Sequence, residues 1–376
     1  MTSPRPTPTR TRGWVLGRVA GAPVILAPSW LLAAVVLTLI FAPSVRARSD
    51  VGPFVYVVAL GFVVLLFASV LVHELAHGLV ARARGQQPHE FVLTLWGGHT
   101  SFGGAAPTPA TSALVAAVGP LANLVLAAGF LAAAQAVDEQ SVAGLLLYSG
   151  AISNGFVAVF NLIPGLPLDG GRVLEALVWA VTKNRSTGTV AAGWTGRAVA
   201  VLLFAWALVW PLAQGVQPNL VSVVWTSFIA AFLWAGATAS VRHGRTQRAV
   251  SALTVEAVAS PAVGVPYTDS VAHAGATAAA VGAHEVVLLS PEGRPAAYVD
   301  RTAAAAVPAE VAGTTPLTTV AITLPVGAVV DGRLTGSGLI AALSDATRLS
   351  PIVVAMTDGR VVGLIRATDV VAAIRA

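Results

Sequence analysis

The sequence of 376 residues contains no cysteine and few charges of either sign. The absence of cysteine excludes structural disulfides, thiol catalysis and thiolate metal ligands, so histidine and carboxylate would have to hold any metal. Only 10% of the residues are charged, whereas 56% are hydrophobic, and soluble domains carry about 25% charged residues. The composition therefore excludes a disordered, fibrous or disulfide-stapled protein, and it predicts several membrane spans.

The charges are unevenly spread along the chain. Up to residue 249 there are 15 basic and 7 acidic residues, and from residue 250 on there are 7 basic and 10 acidic ones. The positive half is also the apolar half, and its basic residues separate hydrophobic runs without forming a patch with interleaved aromatic residues. This pattern is typical of a membrane protein and does not predict a nucleic-acid partner.

Six apolar stretches are each long enough to cross a hydrocarbon core of about 30 Å. The polar, basic N-terminus lacks the features of a signal peptide. Basic residues concentrate in alternate loops, which predicts a multi-pass protein of the cell membrane whose N-terminus and C-terminal part are cytoplasmic. The six stretches are residues 24–42, 53–81, 109–135, 142–165, 196–213 and 219–240.

Beyond Arg242 a polar segment leads into short β-branched runs that alternate with alanine-rich stretches. Residues 286–289 recur in type at 352–355, and Thr302 recurs as Thr368, both at an offset of 66. This repeat predicts a soluble α/β module that is present twice. We therefore expect a cytoplasmic N-terminal segment, a membrane domain, a linker and a tandem module at residues 1–20, 21–241, 242–250 and 251–376.

Residues 73–77 read His-Glu-Leu-Ala-His inside the second apolar stretch. Positions i and i+4 lie on one face of a helix, so His73 and His77 suit two ligands of one tetrahedral zinc, and Glu74 could take a proton from its water. The alternative is a pair of core histidines without a metal. A carboxylate in mid-span costs about 2.5–3.5 kcal/mol, and this cost favours the metal site.

Asp169 is a candidate third ligand. It follows a stretch rich in proline and glycine at the inner end of the fourth apolar run, and that run has the same direction as the second, so Asp169 and His77 are expected at similar depth. A helix cap or a salt bridge to Arg172 is the alternative, although Arg172 is expected to pair with Glu175, three residues on. His99, in a loop rich in glycine and aromatic residues, is a rival ligand.

Three asparagines lie in apolar stretches three and four. Asn123 follows a Gly-Pro pair that breaks the third stretch, and Asn154 and Asn161 belong to the fourth. Their amides could hydrogen-bond a substrate backbone or a developing oxyanion. Simple hydrogen bonding between helices is the alternative.

Taken together, these motifs resemble those of the site-2 protease family of intramembrane metalloproteases. The resemblance is to the six-span subgroup with a C-terminal pair of CBS modules, and it covers roughly residues 20–240 and 250–376. The residues that carry it are His73-Glu74-x-x-His77, Gly119-Pro120-x-x-Asn123 and Asn161-x-x-Pro164-x-x-Pro167-Leu168-Asp169-Gly170.

The resemblance implies an α-helical polytopic membrane protein with about six transmembrane helices, a membrane-dipping β-hairpin at Trp96–Gly104 and a soluble α/β tandem CBS module. It implies one zinc ion per chain on His73, His77 and Asp169, with Glu74 as general base. It further implies cleavage of a transmembrane protein within the lipid bilayer, often a regulator such as an anti-sigma factor. The substrate would pair with the hairpin as an extended strand.

CBS pairs of the family often bind adenine nucleotides. In the second copy Gly363 and the ribose-binding position Asp369 fit the usual pattern, but Arg366 replaces a serine or threonine. We therefore expect at most one nucleotide site, and a structural role or formation of a homodimer through the CBS pair is the alternative. The first copy departs at all three positions, with Ala297, Asp300 and Ala303.

Two other functions are compatible with the composition. A CBS-gated membrane transporter or channel predicts an inverted repeat and several polar residues along a path, and the sequence shows neither feature. A proteolytically inactive membrane scaffold is the third possibility, and the intact Glu74 argues against it.

Overall fold

The computed structural model describes residues 12–48, 51–94, 97–104 and 107–375. The chain divides into two compact units, Met1–Gly244 and Arg245–Ala376. The expected N-terminal segment 1–20 lies in part outside the described residues. The expected linker 242–250 is helical, because the last long helix continues to Ala252.

The first unit is dominated by long apolar helices, whose backbone groups are satisfied within each helix as a bilayer requires. In the described part of the chain, six helices are long and apolar enough to cross a membrane, which confirms the predicted multi-pass architecture. The unit contains α1 (Ser29–Arg48), α2 (Val55–Ala83), α3 (Pro109–Ala134), α4 (Val142–Asn161), α5 (Asp169–Thr182), α6 (Arg185–Ala213) and α7 (Leu220–Ala252), with a 3₁₀ turn at Gly52–Phe54 before α2.

A four-stranded sheet accompanies these helices. Its strands are β1 (Trp14–Val19), β2 (Ala22–Leu26), β3 (Gln86–Thr94) and β4 (Gly97–Gly104), in the order β1-β2-β3-β4. Strands β2 and β3 are parallel, and the other two pairs are antiparallel. The predicted hairpin is the β3–β4 pair, although Trp96 lies outside the described residues. The first apolar stretch was predicted to begin its helix at residue 24, but residues 22–26 form β2 instead.

The sheet packs directly on α2 beside the histidine motif. Phe91 of β3 is fully buried, and a Cβ atom added at Gly78 would overlap its ring. Gly78 follows His77, so the absence of a side chain there allows β3 to approach α2 at the level of the motif.

The segment rich in proline and glycine between α4 and α5 is held tightly by its neighbours. A Cβ at Gly170 or Gly171 would overlap backbone atoms of Leu162 or Gly165, and one at Gly196 of α6 would overlap the carbonyl of Leu166. These close backbone contacts fix the point at which α5 begins, which is Asp169.

The second unit is an α/β module around a seven-stranded sheet of order β8-β7-β6-β5-β11-β10-β9. A 3₁₀ turn at Leu317–Val320 precedes β8. The elements are α8 (Val255–Val258), β5 (Ala259–Pro266), α9 (Val271–Ala280), β6 (Glu285–Leu289), β7 (Pro295–Val299), α10 (Arg301–Ala305), α11 (Ala309–Ala312), β8 (Ala321–Thr323), β9 (Val329–Asp331), α12 (Gly336–Thr347), β10 (Ile352–Thr357), β11 (Arg360–Arg366) and α13 (Ala367–Arg375).

The two halves of this sheet have the same topology. Strand β5 pairs in parallel with β6, which pairs antiparallel with β7, and β9, β10 and β11 repeat that arrangement. Strands β5 and β11 join the halves, and Val287, Val354 and Leu364 form a buried cluster that draws on both. The module is therefore present twice, as the sequence repeat predicted.

Candidate metal centre

Two histidines of α2 form the base of the site. One helical turn separates His73 from His77, so both imidazoles leave the helix on the same side. Their Nε2 atoms lie 3.0 Å apart, and both side chains are buried, as is that of Glu74.

Asp169, the first residue of α5, completes the cluster. Its Oδ2 atom lies 3.0 Å from Nε2 of His73 and 3.3 Å from Nε2 of His77. One potential ligand atom from each of the three residues therefore falls within 4.8 Å of the other two. The structure thus brings together the three ligands expected from the sequence.

The remaining ring nitrogens show which atoms face the centre of the cluster. Nδ1 of His77 lies 2.6 Å from the carbonyl oxygen of Val115, and since a carbonyl only accepts, Nδ1 carries the proton. Nδ1 of His73 lies 2.5 Å from Oδ1 of Asn123. In the neutral rings, where Nδ1 holds the single proton, each Nε2 directs a lone pair at the other and at the carboxylate of Asp169.

Three electron-rich atoms this close repel one another unless a proton or a metal ion lies between them. Ligands of a tetrahedral zinc ion, each at about 2.0–2.1 Å from the metal, lie about 3.3 Å from one another. The observed separations of 3.0, 3.0 and 3.3 Å are close to that value. Two imidazoles, one carboxylate and a free fourth position also match the donor set of a catalytic zinc, so these residues fit the ion.

Helix α3 packs against the rings of both histidines. A Cβ atom at Gly119 would come within 2.7 Å of Cε1 of His73 and would also overlap the ring of His77. Asn123, one turn further on, is fully buried. The Gly-Pro-x-x-Asn motif therefore supplies room for both rings and a hydrogen-bond partner for one of them.

Strand β4 lies against the side chain of Glu74. The hydroxyl of Thr100 donates a hydrogen bond of 2.8 Å to Oε2 of Glu74, and a Cβ atom at Gly98 would overlap the same side chain. No local pattern of the sequence singles out Thr100, because its role depends on the register of β3 with β4. The side chain of His99, the rival third ligand, lies outside the described residues.

The other predicted site residues lie at different places. Asn154 of α4 is buried and bonded to Asn123, so the geometry favours its role between helices over contact with a substrate. Asn161 is half-buried at the end of α4, and its amide has no hydrogen-bond partner among the described residues. The predicted Arg172–Glu175 pair is not formed, since Glu175 accepts from Arg185 Nε at 2.9 Å instead.

Arg366, which stands at the serine or threonine position of the expected nucleotide motif, forms an internal ion pair. Nη2 of Arg366 lies 2.8 Å from Oε1 of Glu285, whose side chain is 3% exposed. Asp369 is half-buried in the first turn of α13, and its role as a ribose ligand stays a prediction.

Comparison with known proteins identifies relatives of the chain. Residues 61–145 and 131–205 match the family model of Peptidase family M50. A provisionally named zinc metalloprotease of Synechocystis sp. is 34% identical over 252 residues, which cover 65% of this chain and 64% of that protein. The provisionally named zinc metalloprotease Rip3 of Mycobacterium tuberculosis is 33% identical over 247 residues, 64% of this chain and 61% of that protein. The chain thus spans less than two thirds of either relative.

Two solved structures resemble parts of the chain. A site-2 protease from Methanocaldococcus jannaschii is 24% identical, with a TM-score of 0.44 over 61% of this chain and 95% of that chain. The CBS domain of a bacterial CNNM/CorC family Mg²⁺ transporter is 11% identical, with a TM-score of 0.27 over 39% of this chain and 93% of that chain.

Proposed function

We propose that this chain, whose membrane region belongs to peptidase family M50, is an intramembrane zinc metalloprotease. It hydrolyses peptide bonds in or near the transmembrane segment of a membrane-protein substrate. The observation that carries the proposal is the convergence of His73, His77 and Asp169 on one point, beside Glu74 and inside helices apolar enough to cross a bilayer. The names of the relatives in Synechocystis and Mycobacterium support the same reaction and the same metal.

His73, His77 and Asp169 would hold the zinc ion, which supplies Lewis-acid activation of water and of the scissile carbonyl when it is bound. Glu74 takes the proton of the attacking water and passes it to the leaving amine, so that each amide bond broken consumes one water. The hydroxyl of Thr100 holds the carboxylate of Glu74 in one position through its 2.8 Å hydrogen bond.

The outer edge of β4 is the expected contact for the substrate. Among the strands formed by the described residues, β4 lies at one end of the sheet, so its outer edge could pair with a further strand. A helical peptide bond is already hydrogen-bonded, and pairing with a sheet edge would hold it extended instead. The unpartnered amide of Asn161 is then available to the substrate backbone or to the oxyanion.

We further propose a cell-membrane location with the N-terminus and the second unit in the cytoplasm, as the distribution of basic residues predicts. The substrate would be a regulator such as an anti-sigma factor. The second unit would act as a regulatory or dimerisation module.

The test is cleavage of a transmembrane reporter by the full chain reconstituted in liposomes. General-base catalysis contributes about 10²–10⁴-fold, so Glu74→Gln is expected to lower the cleavage rate by at least about 10²-fold while the protein keeps its zinc. Glu139→Gln, the same change in a loop outside the site, serves as the matched control and should cleave normally. Equal cleavage by the Glu74 variant and the wild type would remove the proposed base.

A further inference from the structure

A line of hydrogen bonds leads away from His73 across three helices. Nδ1 of His73 lies 2.5 Å from Oδ1 of Asn123, Nδ2 of Asn123 lies 2.8 Å from Oδ1 of Asn154, and Nδ2 of Asn154 lies 3.0 Å from Oγ of Ser69. Asn123, Asn154 and Ser69 are 0%, 1% and 5% exposed. We call these three residues the relay.

The direction of every bond in the relay follows from two backbone carbonyls. Oγ of Ser69 lies 2.9 Å from the carbonyl oxygen of Leu65, and the Nδ2 atom of Asn154 lies 2.9 Å from that of Gly150. A carbonyl can only accept. The hydroxyl of Ser69 therefore donates to Leu65, and the NH₂ group of Asn154 is the side of its amide that faces Gly150 and Ser69.

The orientation of Asn154 then determines the rest of the line. Its oxygen faces Asn123, which must present its own NH₂ group to make the bond. The oxygen of Asn123 is left facing His73, and it can accept only if Nδ1 of His73 carries the proton. In the neutral ring that binds a metal, Nε2 is then the unprotonated nitrogen, and it is the one that lies 3.0 Å from Asp169.

We propose that the relay fixes the tautomer and the ring orientation of His73, so that Asn123 and Asn154 are positioning residues of the metal centre. The inference rests on the proposed function for the identity of the ion. His77 obtains the same tautomer from a backbone carbonyl, that of Val115. His73 obtains it from side chains, and partners of this kind typically change metal affinity by about 10–100-fold when they are replaced.

A single break in the relay has a defined consequence. Leucine at position 154 keeps about the same volume but offers no acceptor to the NH₂ group of Asn123. The amide of Asn123 can then turn and present that group to Nδ1 of His73, which shifts the ring proton to Nε2 and blocks the metal-facing nitrogen. Aspartate at 154 presents an oxygen to Asn123 whether it is ionised or protonated, so it preserves the direction of the bond.

The experiment is a cobalt titration of the purified full chain in detergent, followed by the visible absorption of the bound ion. Asn154→Leu is expected to raise the cobalt dissociation constant by at least about 10-fold, whereas Asn154→Asp stays close to wild type. Ser153→Ala is the matched control, because that hydroxyl bonds only the Ser149 carbonyl of its own helix, at 2.6 Å. Adding Asn123→Asp to Asn154→Leu should restore affinity, since an oxygen then faces His73 in either orientation.

Two results would overturn the relay. One is wild-type cobalt affinity in Asn154→Leu, and the other is an equal loss in the leucine and aspartate variants without rescue by Asn123→Asp, which would indicate packing alone. If Asn154→Leu does not fold, Asn154→Ala, which also offers no acceptor to Asn123, takes its place in the comparison with Asn154→Asp.

The proposed function and the relay fail in different ways. If the wild type binds no cobalt, or if Asp169→Ala binds cobalt as tightly as the wild type does, the proposed metal centre is refuted. Nitrogen-15 histidine spectra of the metal-free protein then still report the relay, which predicts a protonated Nδ1 on His73 in the wild type and a loss of that signature in Asn154→Leu.

Discussion

Both units of this protein bury ionisable side chains, and the two clusters differ in whether they are complete. In the second unit, Arg366 and the buried Glu285 are opposite charges that satisfy each other. In the first unit, two imidazole nitrogens and a carboxylate oxygen lie within 4.8 Å of one another. The pair in the second unit supplies both charges from its own side chains, whereas the three residues of the first unit offer donor atoms that suit a metal ion. The difference supports the proposal that the first cluster, and not the second, is a metal site.

The largest effect is expected on zinc content when one residue of the cluster in the first unit is removed. Asp169→Ala removes the carboxylate and leaves two neutral imidazoles, so purified protein should lose nearly all of the one zinc per chain that we expect in the wild type. Elemental analysis of wild type and variant measures this directly. His89→Ala, which changes an exposed histidine of β3, is the control.

The same measurement decides between the two candidate third ligands. His99→Ala should keep its zinc if Asp169 is the ligand. Full zinc content in Asp169→Ala together with loss in His99→Ala would reverse the assignment.

A smaller effect, on the free energy of unfolding, is expected when one partner of the ion pair in the second unit is removed. Arg366→Met leaves Glu285 buried without a partner, and we expect a loss of about 2 kcal/mol in the free energy of unfolding, less than the 3–5 kcal/mol of a fully buried pair because the arginine is partly exposed. Glu285→Leu combined with Arg366→Met should recover most of it. Calorimetry of the full chain measures both, and a double variant no better than the single one would contradict this account of the pair.

An effect of similar size concerns Glu74, a buried acid whose carboxylate accepts a hydrogen bond from one hydroxyl of β4. Thr100→Val removes that hydroxyl at nearly constant volume. Hydrogen bonds to charged groups contribute about 1.5–3 kcal/mol, so the rate of reporter cleavage should fall by at least about 10-fold, with zinc content unchanged. Thr94→Val, in the neighbouring strand, is the control. Loss of zinc in Thr100→Val would instead indicate that β4 supports the ligands.

Much of this architecture could be predicted because it is encoded in local patterns. The spacing of His73 and His77 depends only on the pitch of a helix, the six helices depend on apolar length, and the doubled module depends on a repeat at an offset of 66. The prolines and glycines before Asp169 also indicated correctly where a helix would be interrupted.

Other features depend on contacts between distant segments, which local patterns do not specify. Strand β2 is a five-residue apolar run that composition cannot separate from the start of a helix. Helix α6 begins at Arg185, earlier than the apolar stretch that predicted it, which begins at 196. The first turns of the helix are rich in threonine and glycine, so they do not register as apolar. The bond from Asn123 to Asn154 depends on helix packing, so the sequence leaves the role of these asparagines undecided. The bond from Thr100 to Glu74 depends on strand register, and no local pattern predicts it.

The close contact of β3 with α2 at Gly78 has a consequence for selectivity along the substrate. Because the sheet packs on the helix that bears the histidines, a polypeptide paired with β4 would have a fixed register relative to the metal site. Successive side chains of a strand alternate between faces, and each residue advances it by about 3.3 Å. Side chains at every second position of the paired polypeptide would therefore contact this protein, whereas the identity of the residues between them would matter little.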